Sequence, residues 1–118
     1  MTTISKHGHE VTLINVFTVD PAKQQALIDL LTQATETTMR HLPGFISANI
    51  HRGLDGTKVT NYAQWASIED FQAMQKDPAA AAHMKEAAAL ATSFDPSLYV
   101  VADIFTAEPE LVGVEVEP

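Results

Sequence analysis

The chain contains no cysteine, and this absence removes several kinds of chemistry at once. Disulfide bonds, iron–sulfur clusters, cysteine-rich zinc sites and a cysteine nucleophile all require a thiol. The glycine-rich signatures of nucleotide-binding loops and the nucleophile elbow of hydrolases are missing as well. Any chemistry must therefore use histidine, asparagine, tryptophan, tyrosine, lysine or carboxylate side chains, or a cofactor that binds without a signature.

Basic residues are also scarce: 7 Lys and Arg face 15 Asp and Glu, for a net charge of −8. Nucleic acids and anionic membranes are poor partners for such a chain, because phosphate binding needs clustered positive charge. No apolar run reaches the length of a membrane span, and the first residues do not form a signal peptide. We therefore expect a cytoplasmic protein with a single domain over residues 1–118, its core at about 10–106 and a loose N-terminus at 1–9.

Patterns of apolar residues predict strands and helices in alternation. Period-2 alternation and β-branched residues predict four strands, at residues 10–19, 45–52, 58–65 and 98–106. Asp20 and Pro21 open a helix that ends near His41, because Asp is a good N-cap and Pro is tolerated at the first helical position. A second helix starts at Ser67, and Pro78 breaks it and begins a further helix over 79–91.

The resulting order predicts an α+β, ferredoxin-like βαββαβ sandwich, with a four-stranded antiparallel sheet and helices on one face. The other face would carry Ile14, Val16, Ile46 and Tyr62, which is too apolar to leave in water. We therefore expect a homodimer in which two sheets stack as a dimeric α/β barrel. Residues 107–118 alternate acidic and apolar side chains, and are predicted to be an acidic tail or an exchanged edge strand.

Three polar side chains fall on the predicted core faces of their strands. Asn15 shares its face with apolar residues of the first strand, and Asn61 and Trp65 share one face of the third. Two interpretations stay open: satisfied structural amides beside the largest core residue, or neutral donors for a small ligand. A His7-Gly8-His9-Glu10 segment could hold a metal, but residues near a terminus are more often solvated, and we predict no metal site.

These stretches resemble the antibiotic biosynthesis monooxygenase family. The resemblance spans about residues 11–106 and rests on residues 11–19, on 42–45, and above all on Asn61-Tyr-Ala-Gln-Trp65 followed by Ser67 and Phe71. It implies small dimeric α+β barrels that oxidise phenolic or anthrone-type aromatics to quinones with dioxygen, using neither metal nor flavin. A small aromatic substrate and dioxygen are then the expected partners, and no cofactor is expected.

The resemblance also implies roles for individual residues. Trp65 with Asn61 or Asn15 would hold the substrate oxygen and the reduced oxygen species, and His51 would handle a proton. Lys85 lies near the place where some members carry an arginine. We predict that the substrate pocket is completed by a further set of side chains: Phe17, Phe71, Met74, His83 and Lys85. The structural alternatives are a solvated strand end for His51, a partly buried hydrogen-bonded His83, and a solvated helix face for Lys85.

A second branch of similar proteins, the haem-degrading monooxygenases, supplies an alternative. Asn15 and His83 fall where that branch has its asparagine and its proximal histidine, so haem could bind through His83. The ring-distorting tryptophan of that branch would fall near Ala73 or Met74, which departs from the pattern. A third possibility is a dimeric binding module that uses the same cavity without catalysis.

Overall fold

Two stretches in which buried and less buried residues alternate form the two central strands of one antiparallel sheet. The computed structural model describes residue 4 and residues 8–107. The sheet has the strand order β2-β3-β1-β4, with β1 at Val11–Thr18, β2 at Phe45–Arg52, β3 at Lys58–Trp65 and β4 at Ser93–Tyr99. The helices are α1 at Gln24–Thr37, α2 at Ile68–Lys76 and α3 at Pro78–Leu90, with short 3₁₀ turns at Pro21–Lys23 and Met39–His41. The predicted α+β, ferredoxin-like fold is confirmed.

The helices start where the sequence places capping residues. The Asp20 carboxylate accepts a hydrogen bond from the Ala22 backbone N–H at 2.8 Å, just ahead of α1. The Ser67 hydroxyl accepts from the Asp70 N–H at 3.1 Å, and the Asp77 carboxylate accepts from the Ala80 N–H at 3.0 Å. Each bond satisfies a donor that the first helical turn leaves without an intrahelical partner.

Helices cover only one face of the sheet. Apolar residues of β1 and β3 face them in two adjoining clusters, one around Trp65, Leu13 and Phe71, the other around Phe17 and Leu27. The residues are buried because alternate side chains of each strand point to the same side. This helix-facing side is therefore the one on which a buried site can form.

The opposite face of the sheet carries both apolar and polar side chains. Ile14, Val16 and Tyr62 are half-buried there, beside the buried polar side chains of Thr12 and Gln64. The Ser47 hydroxyl donates to the Gln64 amide oxygen at 3.1 Å. The homodimer stays a prediction, and residues 108–118 of the expected tail lie outside the described residues.

The fourth strand lies earlier than predicted. It covers Ser93–Tyr99, whereas the sequence indicated residues 98–106, of which 100–106 have no regular secondary structure. The predicted strand began after Pro96, because proline usually ends a strand. Here β4 is an edge strand, where a missing N–H is tolerated, and Pro96 lies opposite Asn15 of β1.

At the start of β2, the side chains do not alternate regularly between the two faces of the sheet, contrary to the prediction from the sequence. The pairing with β3 shifts register between Phe45 and Ser47, which marks a β-bulge. The bulge puts Phe45 on the helix-facing side, where its ring meets Trp65 edge-on, with centroids 5.5 Å apart and planes at 88°. The sequence had placed Phe45 on the opposite face from Ala48 and Ile50.

Gly44, in the turn before β2, should resist substitution. Its φ is +83°, and an added Cβ would collide with the Asp70 side chain, whose carboxylate accepts a hydrogen bond from Ser67. Gly44→Ala should therefore lower the free energy of unfolding by about 2–4 kcal/mol. Urea denaturation of the variant would measure this change.

Gly56 provides the matched control. Its φ is also +83°, but an added Cβ would make only an ordinary contact, 3.6 Å from Pro21 Cβ. Gly56→Ala should cost about 1–2 kcal/mol, the strain of a left-handed alanine alone. Equal losses in the two variants would contradict a steric role for Asp70.

Candidate active site beneath the helices

Asn15, Asn61 and Trp65 project from the two central strands onto the helix-facing side of the sheet. Asn15 lies directly opposite Asn61 in the β1–β3 register, and Trp65 lies opposite Val11. Because β1 and β3 are antiparallel neighbours and all three residues have the parity of the core face, their side chains emerge together. The topology thus brings together two amides and one indole that are distant in sequence.

Each of these residues carries a buried polar atom that has no hydrogen-bond partner among the described residues. The atoms are Asn15 Oδ1, Asn61 Oδ1 and Trp65 Nε1. Asn15 is 8% exposed and Trp65 only 2%. A buried polar group left unpaired costs about 1–3 kcal/mol, so three together are unusual for a region that serves packing alone.

The three side chains border two adjoining cavities, whereas we expected a single one. An inner cavity of about 30 Å³ is lined by Asn61 and Trp65, and an outer cavity of about 420 Å³ is lined by Asn15. Leu13, Met74 and Met84 line both cavities. These three side chains form the partition between the two spaces.

The outer cavity has the dimensions of a small-ligand pocket and mostly apolar walls. Of the predicted pocket residues, Phe71, Met74 and Lys85 line it. Among the described residues that line it, Lys85 alone is charged. The cavity reaches the surface beside β4, where Phe94 is 51% exposed and lines the wall. An aromatic ligand could thus enter from the edge of the sheet.

Phe17 does not line either cavity. It is 2% exposed and packs in the second core cluster, with its ring centroid 6.2 Å from that of Phe94. Phe17 lies opposite Val59 in β3 and Phe94 in β4, and this pairing places its ring in the second core cluster. Phe17 therefore supports a wall of the outer cavity through Phe94.

His51 lies on the opposite face of the sheet. It pairs with Thr60 of β3, which has the parity of Tyr62 rather than that of Asn61. The ring is exposed, and its Nδ1 is 3.2 Å from the Asn49 carbonyl oxygen. The described chain therefore does not bring His51 together with Asn15, Asn61 and Trp65, and a proton-handling role in that site has no geometric support.

His83 is also turned away from both cavities. Its Nε2 is 3.0 Å from the Thr38 hydroxyl, and its Nδ1 is 3.7 Å from a Glu86 carboxylate oxygen. The ring thus lies between the end of α1 and the surface of α3. Haem binding through His83 therefore stays a prediction: Nε2 faces the Thr38 hydroxyl, and Nδ1 is buried without a hydrogen-bond partner among the described residues.

In the part of the chain that the structure describes, no three His, Asp or Glu side chains lie close enough together to hold a metal ion. His7 of the predicted segment is outside the described residues. None of the described helices is long and apolar enough to cross a membrane.

Met84 and Phe94 are the lining residues that sequence reasoning missed. Met84 lies on the α3 face that carries the buried Ala80 and Ala87, and the 80, 84, 87 spacing could have revealed it. Phe94 lay outside the predicted fourth strand, which was placed at residues 98–106, whereas the observed strand covers Ser93–Tyr99. The structure shows that both residues line the outer cavity, because it gives the packing of α3 and the position of β4.

The fold and the site thus define an α+β protein with two adjoining, mostly apolar cavities beneath its helices and with amide and indole groups at their walls. Residues 10–86 match the family model described as antibiotic biosynthesis monooxygenase. This match covers more than half of the chain. The chain belongs to the antibiotic biosynthesis monooxygenase family.

Individual relatives agree with this assignment. The chain is 54% identical over 78 residues to tetracenomycin-F1 monooxygenase of Streptomyces glaucescens, covering 66% of this chain and 70% of the relative. A crystal structure of a monooxygenase from the gene ActVA-Orf6 of Streptomyces coelicolor, in complex with nanaomycin D, is similar with a TM-score of 0.75. That pair is 29% identical, covering 83% of this chain and 92% of the other.

A third likeness concerns the fold alone. SnoaB from Streptomyces nogalater, described as a cofactor-independent oxygenase, superposes as its N63A mutant with a TM-score of 0.73. The two chains are 21% identical, covering 85% of this chain and 100% of SnoaB.

Proposed function

We propose that this protein is a monooxygenase that oxidises a phenolic or anthrone-type aromatic to a quinone with dioxygen, without a bound metal or flavin. One observation carries the proposal: Asn15, Asn61 and Trp65 hold unpaired buried polar atoms at the walls of two apolar cavities. Two relatives that are named monooxygenases support the class of reaction. SnoaB, of the same fold, is described as cofactor-independent.

The outer cavity would hold the aromatic substrate. Its apolar walls suit fused rings, and Lys85 places a positive charge near the bound molecule. A nearby cation favours the ionised form of a phenol, so Lys85 would favour loss of the phenolic proton to water. Asn15 lines this cavity, and the N–H group of its amide would donate to the phenolate oxygen.

The reaction needs no electrons beyond those of the substrate. The phenolate passes one electron to dioxygen, which gives a phenoxyl radical and superoxide, and these combine to form a carbon–oxygen bond. The resulting peroxide takes up a proton, and loss of water then breaks the O–O bond and one C–H bond. The ring carbon becomes a carbonyl, one oxygen atom stays in the product and the other leaves as water.

The protein would contribute positioning and charge stabilisation to this sequence. The cavities hold the reactants in contact, which lowers the entropic part of the barrier. The Trp65 N–H, which is buried without a partner among the described residues, would donate to negative charge as it develops on oxygen, and the Asn61 amide N–H group would assist it. A donor in such a place is worth more than it would be in water.

Oxygen consumption tests the proposed function. We expect the protein to consume one dioxygen for each anthrone-type molecule converted to quinone, at the same rate before and after dialysis against a chelator. Loss of activity on dialysis and recovery with an added metal would refute the cofactor-independent reaction. Saturable binding of the aromatic without oxygen uptake would instead identify a binding module.

A bulky residue at the mouth of the outer cavity should block the substrate. Ala81 is exposed and lines this cavity, so Ala81→Phe should raise KM for the aromatic about tenfold through lost contact. Ala82, exposed on the same helix, does not line the cavity, and Ala82→Phe should leave KM within about twofold. Similar KM values for the two variants would place substrate elsewhere.

The protein should be a homodimer. Apolar side chains at and beyond β4 are widely exposed in the single chain: Tyr99 is 49% exposed, Val100 71% and Phe105 87%. Exposed apolar clusters of this kind mark association surfaces. Sedimentation should give twice the chain mass at micromolar concentration, and a stable monomer there would refute the dimer.

A further inference from the structure

We propose that Met74 and Met84 are the sites at which this protein is oxidised and inactivated during turnover. At these two side chains the peroxide formed from the substrate transfers an oxygen atom to a thioether in place of losing water. The inference rests on the proposed function and concerns a side reaction in the same pocket. It predicts that Met39, which lies nearby, is not oxidised in this way.

Methionine is concentrated at the two cavities. The chain has four methionines and no cysteine, so thioethers are its only sulfur groups. The three methionines among the described residues, Met39, Met74 and Met84, all line the inner cavity. Met1 lies outside the described residues. The thioethers of the described chain are therefore gathered beside the pocket in which the proposed reaction forms a peroxide.

The outer cavity distinguishes two of these methionines from the third. Met74 and Met84 line this cavity of about 420 Å³, whereas Met39 does not. The inner cavity, which all three line, has a volume of about 30 Å³. One water molecule needs roughly 10–15 Å³ measured in this way, so the inner cavity is too small for an aromatic ring. A peroxide carried by the aromatic substrate can therefore contact Met74 and Met84, but not Met39.

Met39 and Met74 are matched in exposure, since each is 7% exposed. Oxidation of methionine by a reagent in bulk solvent depends on how exposed the side chain is. Exposure alone therefore gives no preference for Met74 over Met39. A preference that appears only with an aromatic peroxide would come from the cavity that Met74 lines, and Met39 is the internal reference for measuring it.

The oxygen transfer is a two-electron reaction between the substrate hydroperoxide and a thioether. The methionine sulfur attacks the outer peroxide oxygen, so an S–O bond forms as the O–O bond breaks. Sulfur is oxidised to the sulfoxide, the peroxide is reduced to an alcohol, and the hydroperoxide proton moves to the alcohol oxygen. The ring carbon keeps its C–H bond and carries a hydroxyl group instead of becoming a carbonyl. The reaction needs no further oxidant or reductant.

A sulfoxide at either position would change the pocket. Oxidation converts a flexible apolar side chain into a polar one. Met74 belongs to the core cluster around Trp65, and Met84 packs against both core clusters. A polar group buried against hydrocarbon is costly unless it finds a hydrogen bond. Activity should therefore decline with the number of turnovers completed rather than with time.

Two peroxides of different size test the inference without turnover. Cumene hydroperoxide carries an aromatic ring, whereas hydrogen peroxide is small enough to enter both cavities. After treatment of the resting protein with each peroxide, peptide mass spectrometry quantifies the sulfoxide at each methionine. The ratio of Met74 to Met39 oxidation should be about tenfold higher with cumene hydroperoxide than with hydrogen peroxide. The same ratio with both peroxides would overturn the proposal.

Isotope-labelled dioxygen tests the same sites during turnover. The protein is supplied with an anthrone-type substrate, with dioxygen enriched in oxygen-18, and with catalase to remove free hydrogen peroxide. Met74 and Met84 should gain one heavy oxygen atom each, while Met39 stays unlabelled. Unlabelled Met74 and Met84 after substrate has been converted would overturn the proposal. If no phenol or anthrone is oxidised but the two peroxides give the expected ratios, the proposed function fails and the oxidation sites stand.

Leucine variants connect the oxidation to the loss of activity. Leucine has nearly the volume of methionine and lacks the sulfur atom, so a Met74→Leu, Met84→Leu double variant should complete about tenfold more turnovers before it loses half of its own initial activity. Met39→Leu is the matched control and should complete the same number as the parent protein within about twofold. A double variant that loses activity after as few turnovers as the parent would contradict inactivation at these two sites.

Discussion

Trp65→Phe should lower kcat about a hundredfold, because the loss of one donor to a developing anion typically raises the barrier by about 3 kcal/mol. Phenylalanine keeps an aromatic ring against Phe45 and removes the indole N–H. The measurement is the oxygen-consumption rate with saturating substrate, per folded molecule.

Stability should change little in the same variant. The smaller ring gives up some packing, but the substitution also removes a buried N–H that has no partner within residues 8–107. The cost of such a group is about 1–3 kcal/mol, comparable to the packing that is lost. A tryptophan that served packing alone would behave in the opposite way, with a lower Tm and an unchanged kcat. That result would remove Trp65 from the site.

Asn15→Leu should make the protein more stable and much less active. Leucine has a similar size, and it replaces an amide whose buried oxygen has no partner. Removing an unsatisfied polar group should raise the free energy of unfolding by about 1 kcal/mol. Losing the donor to the substrate oxygen should lower kcat/KM about a hundredfold. Denaturant unfolding and steady-state kinetics measure the two changes.

Asn49 is the control for this substitution. It lies in β2 on the opposite face, and its amide donates to the Tyr62 carbonyl at 3.2 Å. Asn49→Leu should therefore destabilise the protein by about 1 kcal/mol and leave kcat/KM near the parent value. If both variants lose stability, then Asn15 is a structural amide and the assignment of this residue to the substrate is wrong.

The site on the central strands could be predicted because it depends on two simple rules. Side chains alternate along a strand, and the order of elements makes β1 and β3 antiparallel neighbours. Together these rules placed Asn15, Asn61 and Trp65 on one face before any coordinates were known. The two rules did not predict how deeply these three side chains are buried.

The wrong predictions concern places where strand residues do not alternate regularly, and details of side-chain packing. A bulge reversed the face of Phe45, and an edge position made Pro96 acceptable within a strand. His51 looked suitable by chemistry, but its parity in β2 places it on the other face. The division into two cavities depends on how Met74 and Met84 pack between α2, α3 and the sheet, which no local pattern specifies.

The two edges of the sheet also bear on how this protein avoids aggregation. Pro96 deprives β4 of one backbone donor in the middle of the strand, and the bulge distorts β2 at its start. Proline and bulges on edge strands both oppose the addition of a further strand. The sheet is therefore protected at both ends against growth by edge-to-edge pairing, and a concentrated solution of the folded chain should not seed fibrils through β2 or β4.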